Sequence, residues 1–313
     1  MVFIVMEYPW VSVSGYGAHI KSTHKKLVIQ KKNKVEEYPL DSVKNLLIVG
    51  GHTISSTSIA QLIKNGVFIS FFESDGSLVG TLKPFTDDNS EHLNELQKGI
   101  PRHRYAISLA QGSIKSRLFA IHQAELRQSS GLFYEGELEI IQNSLDEMTY
   151  LIKVDEIRRL HRLTSDMYYE IMSRNLPPDL GFRRRTIRPQ TDPVNAMLSF
   201  GYAMLFGNCC VSVIGSRLNP DIGFIHDGKG SLVYDLIDPL KADMVDSIVF
   251  KIARESLKSW DFECAPDRCM LSEELIKKMM GSFYTTINHE KIYSQVIGLL
   301  NSIRSNDEFK VLY

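Results

Sequence analysis

A histidine followed by three aspartates makes one segment of this sequence the best candidate for chemistry. His226 closes the run GFIH, Asp235 and Asp238 follow nine and twelve positions later, and Asp246 lies eight further on. A glycine-rich turn directly after the histidine would fold a helix that begins near Ser231 back towards the imidazole. Nitrogen and oxygen ligands of this kind suit manganese or magnesium better than a thiolate-seeking metal, so the spacing predicts a divalent-cation site.

A second histidine, His161, lies on a predicted helix. It shares a stripe of that helix with Ile157, Leu160, Thr164 and Tyr168, a pattern typical of a hydrogen-bonded core histidine. A neutral imidazole also binds manganese, so the same residue is a candidate ligand. Both interpretations of His161 stay open at this point.

The other candidates have structural alternatives too. Asp235 could cap a helix or pair with Lys241 rather than bind a cation. A lone histidine after an apolar run, such as His226, is often structural, but the acidic DLID segment that follows favours the ligand interpretation. Asp243 and Asp246 are interpreted as solvated or structural.

One apolar helix dominates the region that must position these residues. Residues 196–214 are apolar on nearly every face, as expected of a helix buried in a sizeable domain. Asp192 is its expected N-cap and Pro193 its first residue. Proline lacks the amide proton that would go unpaired in a first turn, and an aspartate side chain can accept from the exposed amides.

The first part of the chain alternates short β-type runs with turn signals. The runs lie at 19–23, 26–30, 46–49 and 67–71, and they predict a mainly antiparallel, sandwich-like sheet. One helix is predicted over Ser56–Lys64. It should end at Asn65-Gly66, where asparagine or glycine can adopt the left-handed closing conformation.

The apolar spacing then becomes helical, and Ser272 is placed to cap one of the later helices. The sequence therefore predicts an α+β protein. A β-rich domain at 1–85 is followed by a polar, acidic linker at 86–95 and a larger all-α domain at 96–313.

Composition fits a soluble two-domain protein. Of 313 residues, 43% are hydrophobic and 23% charged, and the net charge of -1 means that any nucleic-acid contact must depend on local basic patches. The first ten residues lack a basic leader, and the serines, glycines and Asn208 of the apolar helix suit a protein interior better than lipid. We therefore predict a cytoplasmic protein with no membrane association.

The four cysteines are predicted to be free thiols. Cys209 and Cys210 are adjacent in the apolar helix, and adjacent cysteines are poor partners for one another. Cys264 and Cys269 flank a short loop without the second pair that a structural zinc site needs. Free thiols also agree with a cytoplasmic location.

Three long runs together resemble a known family. TDPVNAMLSFGYAMLFGNCC at 191–210 and NPDIGFIHDGKGSLVYDLIDPLKADMVD at 219–246 resemble the core of the CRISPR-associated integrase family Cas1. NLLIVGGHTISSTSIAQLIKNGVFISFFESDGSLVGTLKP at 45–84 resembles its amino-terminal domain. The resemblance implies a metal-dependent DNA endonuclease and integrase of CRISPR spacer acquisition, which cuts and joins phosphodiesters by transesterification in antiviral defence.

The resemblance also implies a set of site residues. The family's metal site combines a glutamate from an earlier helix, the histidine of a GFxH motif and an acid of the following DLx(E/D) motif. His226 and Asp238 match as catalytic ligands, Asp235 matches an acidic neighbour, and His161 stands where the family has its glutamate. The implied Mn²⁺ or Mg²⁺ would thus be held by His161, His226, Asp238 and Asp235.

DNA is the implied substrate, and arginines near the candidate site are its predicted phosphate contacts, although an arginine run is often a solvated surface. These arginines are Arg158, Arg162, Arg183, Arg184, Arg185 and Arg188, with Arg102, Arg104, Lys115 and Arg117 as weaker candidates. The resemblance further implies a homodimer formed through the β domains and a small partner, Cas2. Two alternatives remain open, a catalytically silent DNA-binding paralogue and a transposon-borne integrase of the same fold.

Overall fold

The computed structural model describes residues 10–32, 34–73, 76, 78–84, 88–127 and 131–313. The chain divides into two compact units, one of residues 1–100 with 207–220 and the other of residues 101–206 with 221–313. The α+β class is confirmed, because strands dominate the early part of the chain and helices the later part. Of the predicted linker, residues 86 and 87 lie outside the described residues, and the chain is helical from Asp88 onwards.

Two four-stranded sheets form the described part of the first unit, with strand orders β1-β5-β7-β8 and β4-β3-β2-β6. The strands are β1 (Trp10–Ser14), β2 (His19–Ser22), β3 (Lys26–Lys31), β4 (Lys34–Pro39), β5 (Asn45–Val49), β6 (Thr53–Ile54), β7 (Phe68–Phe72) and β8 (Leu78–Leu82). Side chains from both sheets, including Val11, Ile20, Leu27, Leu46 and Ile69, share one buried core. The unit is therefore sandwich-like, as predicted.

Strand pairing is mixed rather than mainly antiparallel. β3 pairs antiparallel with β2 and β4, and β7 with β8. β5 pairs parallel with β1 and β7, and β2 pairs parallel with β6. The helix α1 (Ser56–Lys64) lies between β5 and β7 in the chain, and such a crossover is what a parallel neighbour requires.

Local signals fixed the ends of α1. The Ser55 side chain accepts a hydrogen bond from the Ser58 amide at the start of the helix, Asn65 follows its last residue, and Gly66 has a φ of 75°. The predicted bounds and the glycine closure are both confirmed. A further helix, α2 (Asp88–Gly99), completes the described helices of the first unit before residue 100.

The apolar helix α6 (Pro193–Gly215) begins as the sequence predicts. The Asn195 amide donates to Asp192 Oδ1 over 2.8 Å, so Asp192 caps the helix and Pro193 is its first residue. Residues 193–206 belong to the second unit and 207–215 to the first. Within the described chain, α6 alone is long and apolar enough to cross a membrane, and 56% of its most apolar window is buried, which a core helix also shows.

The second unit is largely helical. Its helices are α3 (Arg102–Glu125), α4 (Glu137–Met148), α5 (Val154–Ser173), the first part of α6, α7 (Ser231–Ile237), α8 (Ser247–Glu255), α9 (Glu273–Thr286) and α10 (His289–Ser305). Between α7 and α8 the chain forms a 3₁₀ turn at Asp238–Leu240 and a π-helical turn at Ala242–Asp246. The predicted Ser272 cap is confirmed, because its hydroxyl accepts from the Leu275 amide at 3.2 Å.

A small hairpin, β9 (Phe262–Ala265) with β10 (Arg268–Leu271), interrupts the helices and was not predicted. Cys264 and Cys269 face each other across it and form a disulfide. The prediction of free thiols is wrong for this pair, because the sequence spacing does not reveal that the two residues share one register of an antiparallel ladder. Cys209 and Cys210 are buried thiols that take no part in this disulfide, as predicted.

Candidate functional site

The GFIH turn is organised by one fully buried carboxylate. Asp235 Oδ2 accepts from the amides of Phe224 at 2.5 Å and Ile225 at 3.0 Å, and Oδ1 accepts from the amide of His226 at 3.0 Å. Glycine is required at 223, since an added Cβ would lie 2.8 Å from Asp235 Oδ2 and from the His226 carbonyl oxygen. The turn is therefore wrapped closely around the α7 carboxylate.

The same carboxylate orients the His226 ring. His226 Nδ1 lies 2.6 Å from Asp235 Oδ1, so Nδ1 carries the proton and donates it. The side chain is 44% exposed, and no described residue forms a hydrogen bond with Nε2. The lone pair of Nε2 thus has no described hydrogen-bond donor, a state that suits either metal ligation or proton exchange with a substrate.

Two arginines clamp the turn from neighbouring helices. Arg102 of α3 donates to the carbonyl oxygens of Phe224 at 2.7 Å and His226 at 3.1 Å, and Arg158 of α5 donates to that of Ile225. Both guanidiniums also bind Asp227, and the hydrogen bond from Arg102 is the largest cause of the lowered pKa of that carboxyl. Arg102 and Arg158, predicted as DNA contacts, hold the loop that carries the catalytic histidine candidate.

A second histidine and carboxylate meet deeper in the fold. Asp238 Oδ2 accepts from Ser113 Oγ at 2.6 Å, His161 Nε2 at 2.7 Å and Arg117 at 3.1 Å, while Oδ1 accepts from Lys241 Nζ at 2.6 Å. We call these five residues the Arg117 cluster. The side chains of Arg117 and Asp238 are 5% and 4% exposed, so Arg117 is not the weak DNA contact that the sequence predicted.

The charges of the Arg117 cluster fix its protonation. Burial alone would raise the pKa of Asp238, but Lys241, Arg117 and His161 hold that pKa well below its usual range. Burial lowers the pKa of His161 despite the adjacent carboxylate, so the imidazole is neutral near pH 7. Its Nε2–H donates a hydrogen bond to Asp238. Asp238 is a carboxylate under the same conditions.

The two histidine–carboxylate pairs are neighbours but do not merge. Arg158 and His161 are one turn apart on α5, about 5 Å along its axis. Arg158 donates to the Ile225 carbonyl oxygen, next to His226, and His161 bonds to Asp238. Among the described residues, however, no three His, Cys, Asp or Glu side chains converge as a ligand set. The four predicted ligands therefore form two pairs rather than one site.

The residues present do not fit a divalent cation at Asp238. Its two oxygens already accept four hydrogen bonds, and two of the donors, Arg117 and Lys241, are cations that would repel a metal ion. Asp235 also differs from its predicted role as a ligand, because three amides and the His226 ring take up its lone pairs. Of the predicted ligands, only His226 presents an atom oriented for ligation.

Asp246, the last of the acidic series, serves a separate buried network. It accepts from the hydroxyls of Tyr168, at 3.0 Å, and Tyr202, and the Tyr169 hydroxyl lies 2.6 Å from that of Tyr202. Burial raises the pKa of Asp246 to about 6, although both tyrosine hydrogen bonds act to lower it. The structural interpretation of Asp246 agrees with this geometry.

The remaining predicted DNA contacts divide into two groups. Arg185 is held within the fold by Asn195 Oδ1 at 2.9 Å and Ser199 Oγ at 2.8 Å, so it shapes the start of α6. Arg162, Arg183, Arg184 and Arg188 are exposed, and their side chains bond to no other residue that the structure describes. These four remain available to phosphates.

Sequence reasoning missed Ser113, Lys241 and the structural role of Arg117. A signal for Arg117 existed, because it lies three residues after Ile114 and four before Ile121 on α3, a spacing that puts all three on one face. All three are buried. A charged residue in a buried stripe indicates a buried partner.

Comparison with known proteins gives a consistent result. The family model of CRISPR associated protein Cas1 matches residues 11–285. A curated relative, the putative CRISPR-associated endonuclease Cas1 2 of Methanospirillum hungatei, is 38% identical over 301 residues, covering 96% of this chain and 99% of the relative. That coverage includes both units.

Solved structures share the fold at lower identity. A casposase bound to its integration product superposes with a TM-score of 0.81 at 19% identity, covering 97% of this chain and 99% of that one. A partial Cas6-RT-Cas1–Cas2 complex superposes with a TM-score of 0.73 at 20% identity, covering 98% of this chain and 99% of that one.

Proposed function

This chain belongs to the family of the CRISPR-associated protein Cas1, and we propose that it is a DNA endonuclease and integrase of CRISPR spacer acquisition. One observation carries the proposal. His226 is fixed by Asp235 through Nδ1 while its side chain is 44% exposed, on a turn that two helices clamp in place. Rigid support of a partly exposed histidine is typical of a catalytic residue.

The proposed reaction is phosphodiester transesterification. A DNA 3′-hydroxyl attacks phosphorus, a new P–O bond forms, and the bond to the leaving oxygen breaks. The attacking hydroxyl must lose its proton, and solvent water supplies the proton that the leaving oxygen gains. His226 Nε2 can accept that first proton, because Asp235 stabilises the resulting imidazolium. Water in place of the hydroxyl gives cleavage, so one site serves both activities.

The substrate is held by the exposed arginines in this proposal. Arg162, Arg183, Arg184 and Arg188 supply sequence-independent phosphate contacts, which position a duplex without reading its bases. The Mn²⁺ or Mg²⁺ implied by the resemblance is not included, because the residues around Asp238 do not fit such an ion.

Partners and location extend the proposal. A structural neighbour is a complex that contains Cas1 and Cas2, which supports a similar small partner here. We further propose a homodimer through the β domain at 1–85, a catalytic domain at 96–313, and cytoplasmic residence.

Strand transfer by the purified chain tests the function. Branched and linear DNA are incubated with Mn²⁺, Mg²⁺ or a chelator, and His226→Ala is compared with wild type and with His122→Ala, a change at an exposed histidine of α3. Loss of the proton acceptor should slow joining and cleavage by about 100-fold or more, whereas His122→Ala should match wild type.

Two outcomes would contradict the proposal. Equal rates for His226→Ala and wild type would remove His226 from catalysis. A wild-type protein that binds DNA but neither cuts nor joins it in any condition would favour the silent DNA-binding paralogue.

A further inference from the structure

The Arg117 cluster lies where the family resemblance implies a metal. We infer that the Arg117 guanidinium is a built-in cation beside Asp238 and residue 161, and that it excludes Mn²⁺ and Mg²⁺ from this position. The inference deepens the proposed function and rests on it, since it concerns the same site. Its test, however, measures ion binding and does not require catalysis.

Hydrogen-bond saturation is the first argument. Oδ2 of Asp238 accepts from Ser113, His161 and Arg117, and Oδ1 accepts from Lys241. A metal ion bound to Oδ2 would displace buried donors and leave them without an acceptor, and one bound to Oδ1 would displace the half-buried Lys241 ammonium.

Charge is the second argument. Arg117 and Lys241 carry two positive charges. The carboxyl groups that act on them are Asp238, which bonds to both, and Asp246, which acts on both without a direct bond. The two carboxyl groups at most balance the two cations, so the cluster has no excess negative charge. A divalent ion would add two more positive charges in a region where Arg117 is almost fully shielded from water, so repulsion would be strong. A cation site normally has the opposite balance, with excess carboxylate charge.

The residue at position 161 is the third argument. His161 Nε2 lies 2.7 Å from Asp238 and 3.5 Å from an Arg117 nitrogen. The His161 imidazole donates a hydrogen bond to Asp238 and adds no negative charge. A glutamate at position 161 would place a second carboxylate beside Arg117. With histidine there, Asp238 is the one carboxylate that bonds to Arg117.

The position of Arg117 is fixed by its surroundings. Its guanidinium carbon lies 5.9 Å from the centre of the Tyr168 ring, and Ile114 and Ile121 of the same helix face are fully buried. The side chain is 5% exposed and is held against Asp238, so its positive charge is part of the folded cluster.

Manganese binding to the full-length chain tests the inference. Free Mn²⁺ is followed by electron paramagnetic resonance during titration of wild type, His161→Glu, and His161→Glu with Arg117→Gln. The matched control is His161→Glu with Arg162→Gln, which removes the same charge from an exposed neighbour. Thermal unfolding monitors the fold of each variant.

In wild type, Asp238→Asn should leave the affinity for Mn²⁺ unchanged, because no Mn²⁺ ion binds at Asp238. The variant lacking Arg117 should bind Mn²⁺ at least about tenfold more tightly than the Arg162 control, and adding Asp238→Asn should abolish the gain.

Either of two results would overturn the inference. One is stoichiometric Mn²⁺ binding by wild type that Asp238→Asn weakens about tenfold or more, a measurement that needs no Arg117 variant to fold. The other is a folded His161→Glu, Arg117→Gln protein that binds Mn²⁺ no better than its Arg162 control.

Discussion

The two histidine–carboxylate pairs look alike in their distances and differ in everything that surrounds them. His226 and Asp235 lie 2.6 Å apart, and His161 and Asp238 lie 2.7 Å apart. The first carboxylate is saturated by backbone amides and its histidine is exposed, whereas the second is surrounded by cationic side chains and its histidine is buried.

This difference separates two uses of the same contact. Asp235 holds a loop and sets the His226 tautomer, so the pair leaves Nε2 unprotonated on a partly exposed side chain. Asp238 neutralises a buried arginine, so the second pair belongs to the interior. A pair distance alone therefore does not identify a ligand site.

Removing Asp238 should have the largest effect on stability. Asp238→Ala leaves Arg117 buried beside Lys241 without its salt-bridge partner, and we expect a loss of about 4 kcal/mol in the free energy of unfolding. Urea denaturation measures the loss. Asp243→Ala, which removes an exposed partner of Lys291, should cost less than about 1 kcal/mol, and equal losses would mean that the Arg117 cluster is not a tightly coupled buried unit.

Asp235→Asn should cause the next largest loss in the free energy of unfolding, about 3 kcal/mol. The asparagine NH₂ group would point its donors at backbone amides that need an acceptor. The imidazole ¹⁵N shifts of His226 should also change, since Nδ1 loses its carboxylate. Asp221→Asn is the control. Its Oδ1 accepts from the Gly230 amide at 2.7 Å, and asparagine can keep that bond. An unchanged His226 spectrum in Asp235→Asn would contradict the orienting role.

The smallest effect concerns pH and sharpens the contrast between Asp238 and Asp246. Burial raises the pKa of Asp246 from 3.8 to about 6, so its contribution to stability is full below pH 3.8 and is lost as pH rises through 6. Asp238 has the opposite sign, because its lowered pKa adds stability that is lost as pH falls. Wild type should lose about 2 kcal/mol relative to Asp246→Asn between pH 4 and 6.

Urea denaturation across that pH range tests the prediction. Asp243→Asn, at an exposed carboxylate of the same π-helical turn, is the control and should follow wild type. Parallel curves for wild type and Asp246→Asn would show that Asp246 does not titrate in this window.

Local signals predicted local structure well. Ser56–Lys64 was predicted at both ends, and Asp192, Pro193 and Ser272 begin their helices as their side-chain chemistry indicates. These features depend on hydrogen bonds within a few residues, which the sequence displays directly.

Such local signals do not reveal which residues far apart in the sequence contact each other. Asp235 was expected to ligate a metal, yet its partners are amides nine to eleven residues away whose direction depends on the turn. Arg117 reaches Asp238 across 121 residues. The parallel strands and the Cys264–Cys269 disulfide likewise depend on which segments lie side by side, a property that composition and periodicity leave open.

The presence of glycine, which has no side chain, at position 223 has a consequence for protein engineering. The backbone there passes so close to Asp235 that even alanine would press a methyl group against the carboxylate and the His226 carbonyl oxygen. Randomised libraries of this turn should therefore recover glycine at 223 under any selection for a folded chain, whether or not catalysis is selected.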